Sequence, residues 1–329
     1  VITKATLALW CFLIPSLAGA ELLDIYGAVT GKTVLMSSSW PRLKDVTMPA
    51  STTNQTAMIA WAESELAKQG MAIIPDGPHF VVILPEFWRS LMTNISLRGA
   101  EFSKSQSSAS MGTGTLDFRG ASVEDSLRVY STCAHRNILR PARLPIGQLK
   151  IKSSSTLSRE EIAYAMETLL ALNDIAIVED GTKFAQVLSM AQRGLVKTNA
   201  PASKPGEELL DPNKVPAVGV ADPIRPRSKT ERDLDHWRKV LADFLHFKPP
   251  QDRSAGDLLE LYADLADKSV EPSKDLDATP VWFKVTMPMT KRELLYAIET
   301  TFGLENLHIV SKSQAKVQLE RVPVPAEKK

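Results

Sequence analysis

The stretch Ser158–Leu188 constrains this chain more than any other, because the chain carries it three times. Moved back by 104 positions it lies on Asn54–Leu84 without a gap, and moved forward by 132 it lies on Thr290 onward. Glu167, Leu170, Ile177, Asp180-Gly181, Phe184 and Leu188 then meet Glu63, Leu66, Ile73, Asp76-Gly77, Phe80 and Leu84. In the forward direction Glu161, Tyr164-Ala165, Glu167-Thr168 and Ile177-Val178 meet Glu293, Tyr296-Ala297, Glu299-Thr300 and Ile309-Val310. Constant offsets over such a span are the signature of an internal repeat.

Each copy has the same order. Ile162, Ala165, Met166, Leu169 and Leu170 form one apolar stripe at helical spacing, matched by Leu294, Ala297, Ile298, Thr301 and Phe302 and by Met58, Trp61, Ala62, Glu65 and Leu66. Ser158 with Glu161, and Thr290 with Glu293, are capping boxes that fix two helix starts. A β-rich run follows each helix (Met71–Ile74, Ile175–Val178, Leu307–Val310), then a turn at Asp76-Gly77, Asp180-Gly181 or Ser311–Ser313, then a second strand. An earlier helix precedes each unit, with Tyr26, Tyr130 and Tyr262 at matching positions. Strands are expected at Thr115–Phe118, Gln148–Lys152 and Val281–Val285. The expected fold is α+β: three tandem βαββαββ modules, each with two helices on one face of a small mixed sheet.

The boundaries follow. Module 1 spans 10–98, a Ser/Gly linker 99–114, module 2 115–193, a Pro-rich disordered linker 194–230, module 3 with an extra N-terminal helix 231–322, and a tail 323–329. The Pro-rich stretch holds no aromatic residue and is expected to bury too little to offset its ordering entropy. Residues 1–20 carry two readings. Lys4, the apolar run Ala5–Leu17 and Ala18-Gly19-Ala20 look like a signal peptide, whereas the repeat register places the first strand of module 1 on Cys11–Ile14.

Little in the chain points to chemistry. There is no P-loop, G-x-S-x-G, H-E-x-x-H or dinucleotide fingerprint. The two cysteines form no metal or redox spacing, and Cys133 reads as a small buried hydrophobe. The five histidines (His79, His135, His236, His246, His308) are scattered. Asp233, Asp235 and His236 read as a solvated helix face. Glu63, Glu167 and Glu299 recur once per copy and read as structural. Tyr26, Tyr130 and Tyr262 read as core residues whose hydroxyls reach a rim partner. No catalytic, cofactor-binding or metal-binding residue is assigned. A net charge of +1 argues against nucleic acid as a partner, and no apolar run is long enough for a transmembrane helix.

The pattern as a whole resembles the periplasmic N-domain module of bacterial secretins, the ring-forming outer-membrane proteins of type II and III secretion and of type IV pili. The residues that carry this are Val123–Tyr130, Leu149–Lys152, Leu157–Glu161, Leu169–Asn173 and Ile175–Gly181, with Leu22–Tyr26 and Thr30–Val34 in module 1. The sequence shows no long C-terminal run of alternating strands of the kind that builds the secretin barrel. The resemblance implies a non-enzymatic interaction or scaffold protein of the cell envelope, periplasmic or associated with the outer membrane. It also implies protein partners, either further copies of itself in a homo-oligomer or other secretion components. The alternative is a KH-like nucleic-acid-binding protein, but the GxxG loop that clamps a nucleic-acid backbone in that fold is absent.

Overall fold

The computed structural model describes residues 22–37, 40, 43–44, 46–49, 54–95, 97–104, 115–145, 147–196, 198–204, 206–211, 241, 244, 250–273 and 275–322. Among these, the protein is a mixed α+β fold with several β-sheets and six helices. It divides into two compact units, Val1–Ala134 with Pro145–Asp174, and His135–Leu144 with Ile175–Lys329. The division runs through the middle of 115–193.

The first unit contains α1 (Leu22–Thr30), β1 (Thr33–Ser37), α2 (Gln55–Lys68), β2 (Met71–Asp76), β3 (Phe80–Pro85), β4 (Asp117–Ser122), α3 (Val123–Ala134), β6 (Gln148–Lys152) and α4 (Arg159–Ala171). Its sheet runs β2-β3-β1-β6-β4. β2 and β3 form an antiparallel hairpin, β3 is parallel to β1, and β1 is antiparallel to β6 in the register Val34↔Lys152 to Ser37↔Leu149. Every residue of β3 is buried. Alternate positions explain this: Val81 and Ile83 pack with Leu22, Tyr26, Ala62 and Leu66 of α1 and α2, whereas Phe80 meets Tyr164 of α4. A strand covered on both faces loses the apolar–polar alternation of a one-sided sheet. The expected self-contained sheet, with two helices on one face, therefore does not describe this unit. The sheet is assembled from strands of two of the sequence copies and has helices on both sides.

The second unit contains β5 (Asn137–Leu139), β7 (Ile175–Asp180), β8 (Phe184–Ser189), β9 (Arg253–Ser254), α5 (Ala255–Ala266), β10 (Ser269–Val270), β11 (Pro280–Val281), α6 (Lys291–Leu304), β12 (Leu307–Ser313) and β13 (Lys316–Arg321). Three sheets run β5-β8-β7, β11-β9 and β10-β13-β12. One continuous core joins Phe184 and Leu139 to Leu258, Phe283, Leu294, Ile298 and Phe302. The strand expected over Val281–Val285 pairs only through Val281, because its partner β9 is two residues long. Trp282, Phe283 and Val285 are nevertheless buried.

In chain order the elements from β4 to β8 run β-α-β-β-α-β-β, and those from β9 to β13 do the same. The backbone repeats in finer detail. Residues with positive φ close the helices at Gly31, His135 and Asp267, and again at Gly70, Asp174 and Asn306. These positions stand 104 and 132 apart, the offsets of the sequence. A left-handed residue after a helix satisfies its last carbonyls, and such conformations are uncommon for residues other than glycine. Both expected capping boxes are formed, with Ser158 accepting from the Glu161 amide and Thr290 from the Glu293 amide.

Parts of the expected linkers are folded. Gly99–Lys104 is a 3-10 helix whose Phe102 ring packs on Phe80 and Tyr164; residues 105–114 lie outside the described residues. Leu210, in the Pro-rich stretch, is fully buried and exchanges backbone hydrogen bonds with Met289 at 2.7 and 3.0 Å. Composition misses such single anchors, and proline reduces the entropy an ordered segment must lose. Residues 1–20, 212–240 and 323–329 lie outside the described residues, as do Asp233, Asp235, His236 and His246. Of the expected helix over 231–247, Leu241 and Phe244 are described; both are helical and pack on the second unit's core.

Candidate functional site

The chemistry-bearing side chains that come together lie where a hairpin of one sequence copy meets the second helix of the next. In the first unit, the Asp76 carboxylate closes the β2–β3 hairpin and is almost fully buried. Its Oδ2 accepts from the Tyr164 hydroxyl of α4, and its Oδ1 accepts from the Gly99 amide at 2.7 Å. The Arg98 amide donates to the Tyr164 oxygen at 2.9 Å. The Tyr164 ring stands edge-on to Phe80, with centroids 5.4 Å apart. One turn earlier on α4, the capping-box Glu161 lies 3.9 Å from His79 Nε2 in the hairpin turn.

The second unit repeats this clasp. Asp180 ends β7 and has no solvent exposure. Its Oδ2 accepts from the Tyr296 hydroxyl of α6 and from Gln186 Nε2 at 2.7 Å, and its Oδ1 accepts from the Ala200 amide at 2.9 Å. Tyr296 packs against Phe184 at 5.7 Å. The capping-box Glu293 takes Lys183 Nζ at 2.9 Å and Ser203 Oγ at 2.5 Å. Hairpin residues 76, 79 and 80 thus correspond to 180, 183 and 184, and helix residues 161 and 164 to 293 and 296.

The electrostatics follow from burial. Desolvation, reinforced by the hydrogen bond to Asp76, raises the Tyr164 hydroxyl far above its ordinary value. Tyr296 is pushed up to about 12 by burial and by its bond to Asp180. Both are therefore neutral donors rather than acids or nucleophiles at physiological pH. Burial alone would raise Glu293, but hydrogen bonds from Ser203, Lys183 and the Thr290 backbone, with the Lys183 charge, hold it below its usual range.

Other residues singled out in the sequence take simpler places. Tyr26 donates to Glu63 at 3.3 Å and Tyr262 to Glu299 at 2.8 Å, so two recurring residue types are partners within a copy. Glu167 pairs with Arg98 at 2.8 Å. Cys133 is partly exposed, and burial pushes its thiol up, away from the reactive thiolate. His308 lies 4.0 Å from Glu320 on an exposed strand. A groove of about 1050 Å³ beside α1 is lined by Leu22, Leu23, Trp40 and Leu43 together with Lys150 and Lys152. Among the described residues no histidine or cysteine lines it. Among the described residues no group of three or more His, Cys, Asp or Glu could hold a metal ion, and no helix is long and apolar enough to cross a membrane.

Compared with known proteins, the chain matches no family model and no curated sequence.

The clasp was present in the alignment as residues that recur in only two copies. Asp76/Asp180 and Phe80/Phe184 recur in the first and second copies, and Glu161/Glu293 and Tyr164/Tyr296 in the second and third. Recurrence staggered by one copy is what a contact between consecutive copies leaves in a sequence.

Proposed function

We propose that this chain is a non-enzymatic interaction or scaffold protein of the bacterial cell envelope, built from three copies of one βαββαββ module that resembles the secretin N-domain. The observation that carries this reading is the clasp made twice with the same residue types. It is a head-to-tail contact between unlike surfaces, a hairpin face and a helix face, by which consecutive copies dock on one another within the chain. The left-handed helix ends at matching offsets support the view that the three stretches are copies. The side chains that converge are neutral hydroxyls, satisfied carboxylates and aromatic rings, with His79 beside Glu161 and Lys183 on Glu293. They suit specific docking and offer no nucleophile paired with a base.

The test is cross-linking in intact cells, followed by fractionation and mass spectrometry of the adducts. The expected result is recovery in the envelope fraction, cross-linked to an envelope protein or to a second copy. Recovery as an uncross-linked monomer in the cytoplasm would overturn the proposal.

A further inference from the structure

The third hairpin has the fold of the first two but not their outward face. β12 and β13 pair as His308↔Glu320 and Val310↔Gln318, the register of Ala72↔Leu84 and Ile74↔Val82 in β2–β3 and of Ala176↔Leu188 and Val178↔Gln186 in β7–β8; next to the turn it departs from them, a bulge between Ser311 and Ser313 setting Lys316 opposite Ser313 where the clasps pair Asp76↔Phe80 and Asp180↔Phe184. Lys312 stands where the clasps have Asp76 and Asp180, and Lys316 stands where they have Phe80 and Phe184. Both lysines are exposed, whereas the four residues they replace are at most 3% exposed. Glu320 accepts from Lys312 and lies 4.0 Å from His308, a small charge network on the open face. The opposite end of the series is altered to match. Helix α2 carries Ala57 and Ala60 at the positions of the clasp glutamate and tyrosine, and it buries only Met58, Ala62 and Leu66, where α4 is buried nearly all round.

We propose that the β12–β13 face is a built-in stop. It ends the series of clasps and refuses a further copy of the helix pair, so the chain does not extend head to tail through this face. This rests on the reading of the three stretches as copies of one module. The chemistry is the loss of an acceptor. In both clasps the tyrosine donates its O–H to a buried carboxylate; an ammonium has three donors and no acceptor, so a tyrosine brought to Lys312 could only accept, and its own O–H would be buried without a partner. An ammonium at the Phe184 position would also be stripped of water with no partner. Charged residues on an open sheet are a recurrent device against unwanted pairing.

The experiment uses the full chain with Cys11→Ser, Cys133→Ser and His308→Cys, so that one thiol reports on the face. Its position corresponds to Ala72 and Ala176, each 3% exposed within a clasp. The maleimide labelling rate is measured with rising concentration, and light scattering gives the mass. The expected rate for this parent is independent of concentration; protection at high concentration would overturn the proposal. Two further chains restore one half of the clasp each: Lys312→Asp with Lys316→Phe in the reporter chain, and Ala57→Glu with Ala60→Tyr in a second, thiol-free chain. The four restoring substitutions fall at exposed or half-exposed positions, and circular dichroism checks the folding of each chain. Mixing the two is expected to slow labelling at least about tenfold, equivalent to about 1.4 kcal/mol, while neither slows it alone. Absence of protection on mixing would show that these lysines and alanines do not decide the matter, and the proposal would fall. The readout does not depend on any envelope partner, so it stands or falls separately from the cross-linking test.

Discussion

Glu293 has a side chain only 1% exposed, yet its surroundings favour its charge. Its two oxygens take Ser203, Lys183 and the Thr290 amide, so a residue read from sequence only as a helix cap also ties its helix to the preceding hairpin. The consequence is a pH dependence of known sign. The folded value lies below the ordinary 4.5, so the unfolded chain binds this proton more tightly. The stability the group contributes is fully present above about pH 4.5 and is lost as pH falls through the lower folded value. We expect the urea midpoint to fall on acidification through that window. Because Lys183 supplies both a hydrogen bond and a charge to this carboxylate, Lys183→Met should flatten the acid limb. An acid limb of unchanged slope in Lys183→Met would show that Glu293 is not tied to the hairpin as described.

Elements differ in how much of them local sequence can reveal. The starts of α4 and α6 are written in four-residue capping boxes, and the hairpins β2–β3 and β7–β8 in β-rich runs around Asp-Gly turns. All four were legible. The β1–β6 pairing was not, since Val34 and Lys152 meet only through tertiary folding. Nor was the 3-10 helix at Gly99, whose serine-rich neighbours read as linker. That helix explains why Gly77 must be glycine. Both Gly77 and Gly31 have φ near +70°, but a Cβ on Gly77 would sit 2.1 Å from the Gly99 carbonyl oxygen, while one on Gly31 meets nothing within 4 Å. Gly31→Ala should therefore cost about 1–2 kcal/mol, the left-handed penalty alone. Gly77→Ala should cost clearly more, because it also pushes residues 99–104 off Asp76 and Tyr164. Chemical denaturation of the two variants compares them directly, and equal losses would mean that the Gly77–Gly99 approach is not a structural requirement.

At the scale of the whole molecule, the structural and sequence partitions are different objects. The repeat places α4 and the β7–β8 hairpin in one stretch, 115–193, but Asp174 and Ile175, neighbours in the chain, belong to different compact units. Each unit contains one complete clasp, with the hairpin of one copy and the second helix of the next. The physical reason lies in burial. β3 and β8 are buried along nearly their whole length, and their clasp faces are covered by the following copy's second helix, through Tyr164 on Phe80 and Tyr296 on Phe184, with Phe102 adding to the first. A contact of that kind is as much core as any within a copy, so cooperativity should follow the clasp and not the repeat. Tyr296→Phe tests this. It removes a half-buried hydroxyl from Asp180, a loss of about 1–3 kcal/mol, and so should speed amide exchange in the protected parts of the second unit by about fivefold or more. Under native conditions, the acceleration should appear in β7, β8 and α6 and leave α4 at its parent rate, although α4 is the nearer to β7 along the chain. If α4 accelerates together with β7 and β8 while α6 does not, the sequence copy is the cooperative unit, and the clasp is a surface contact between finished modules.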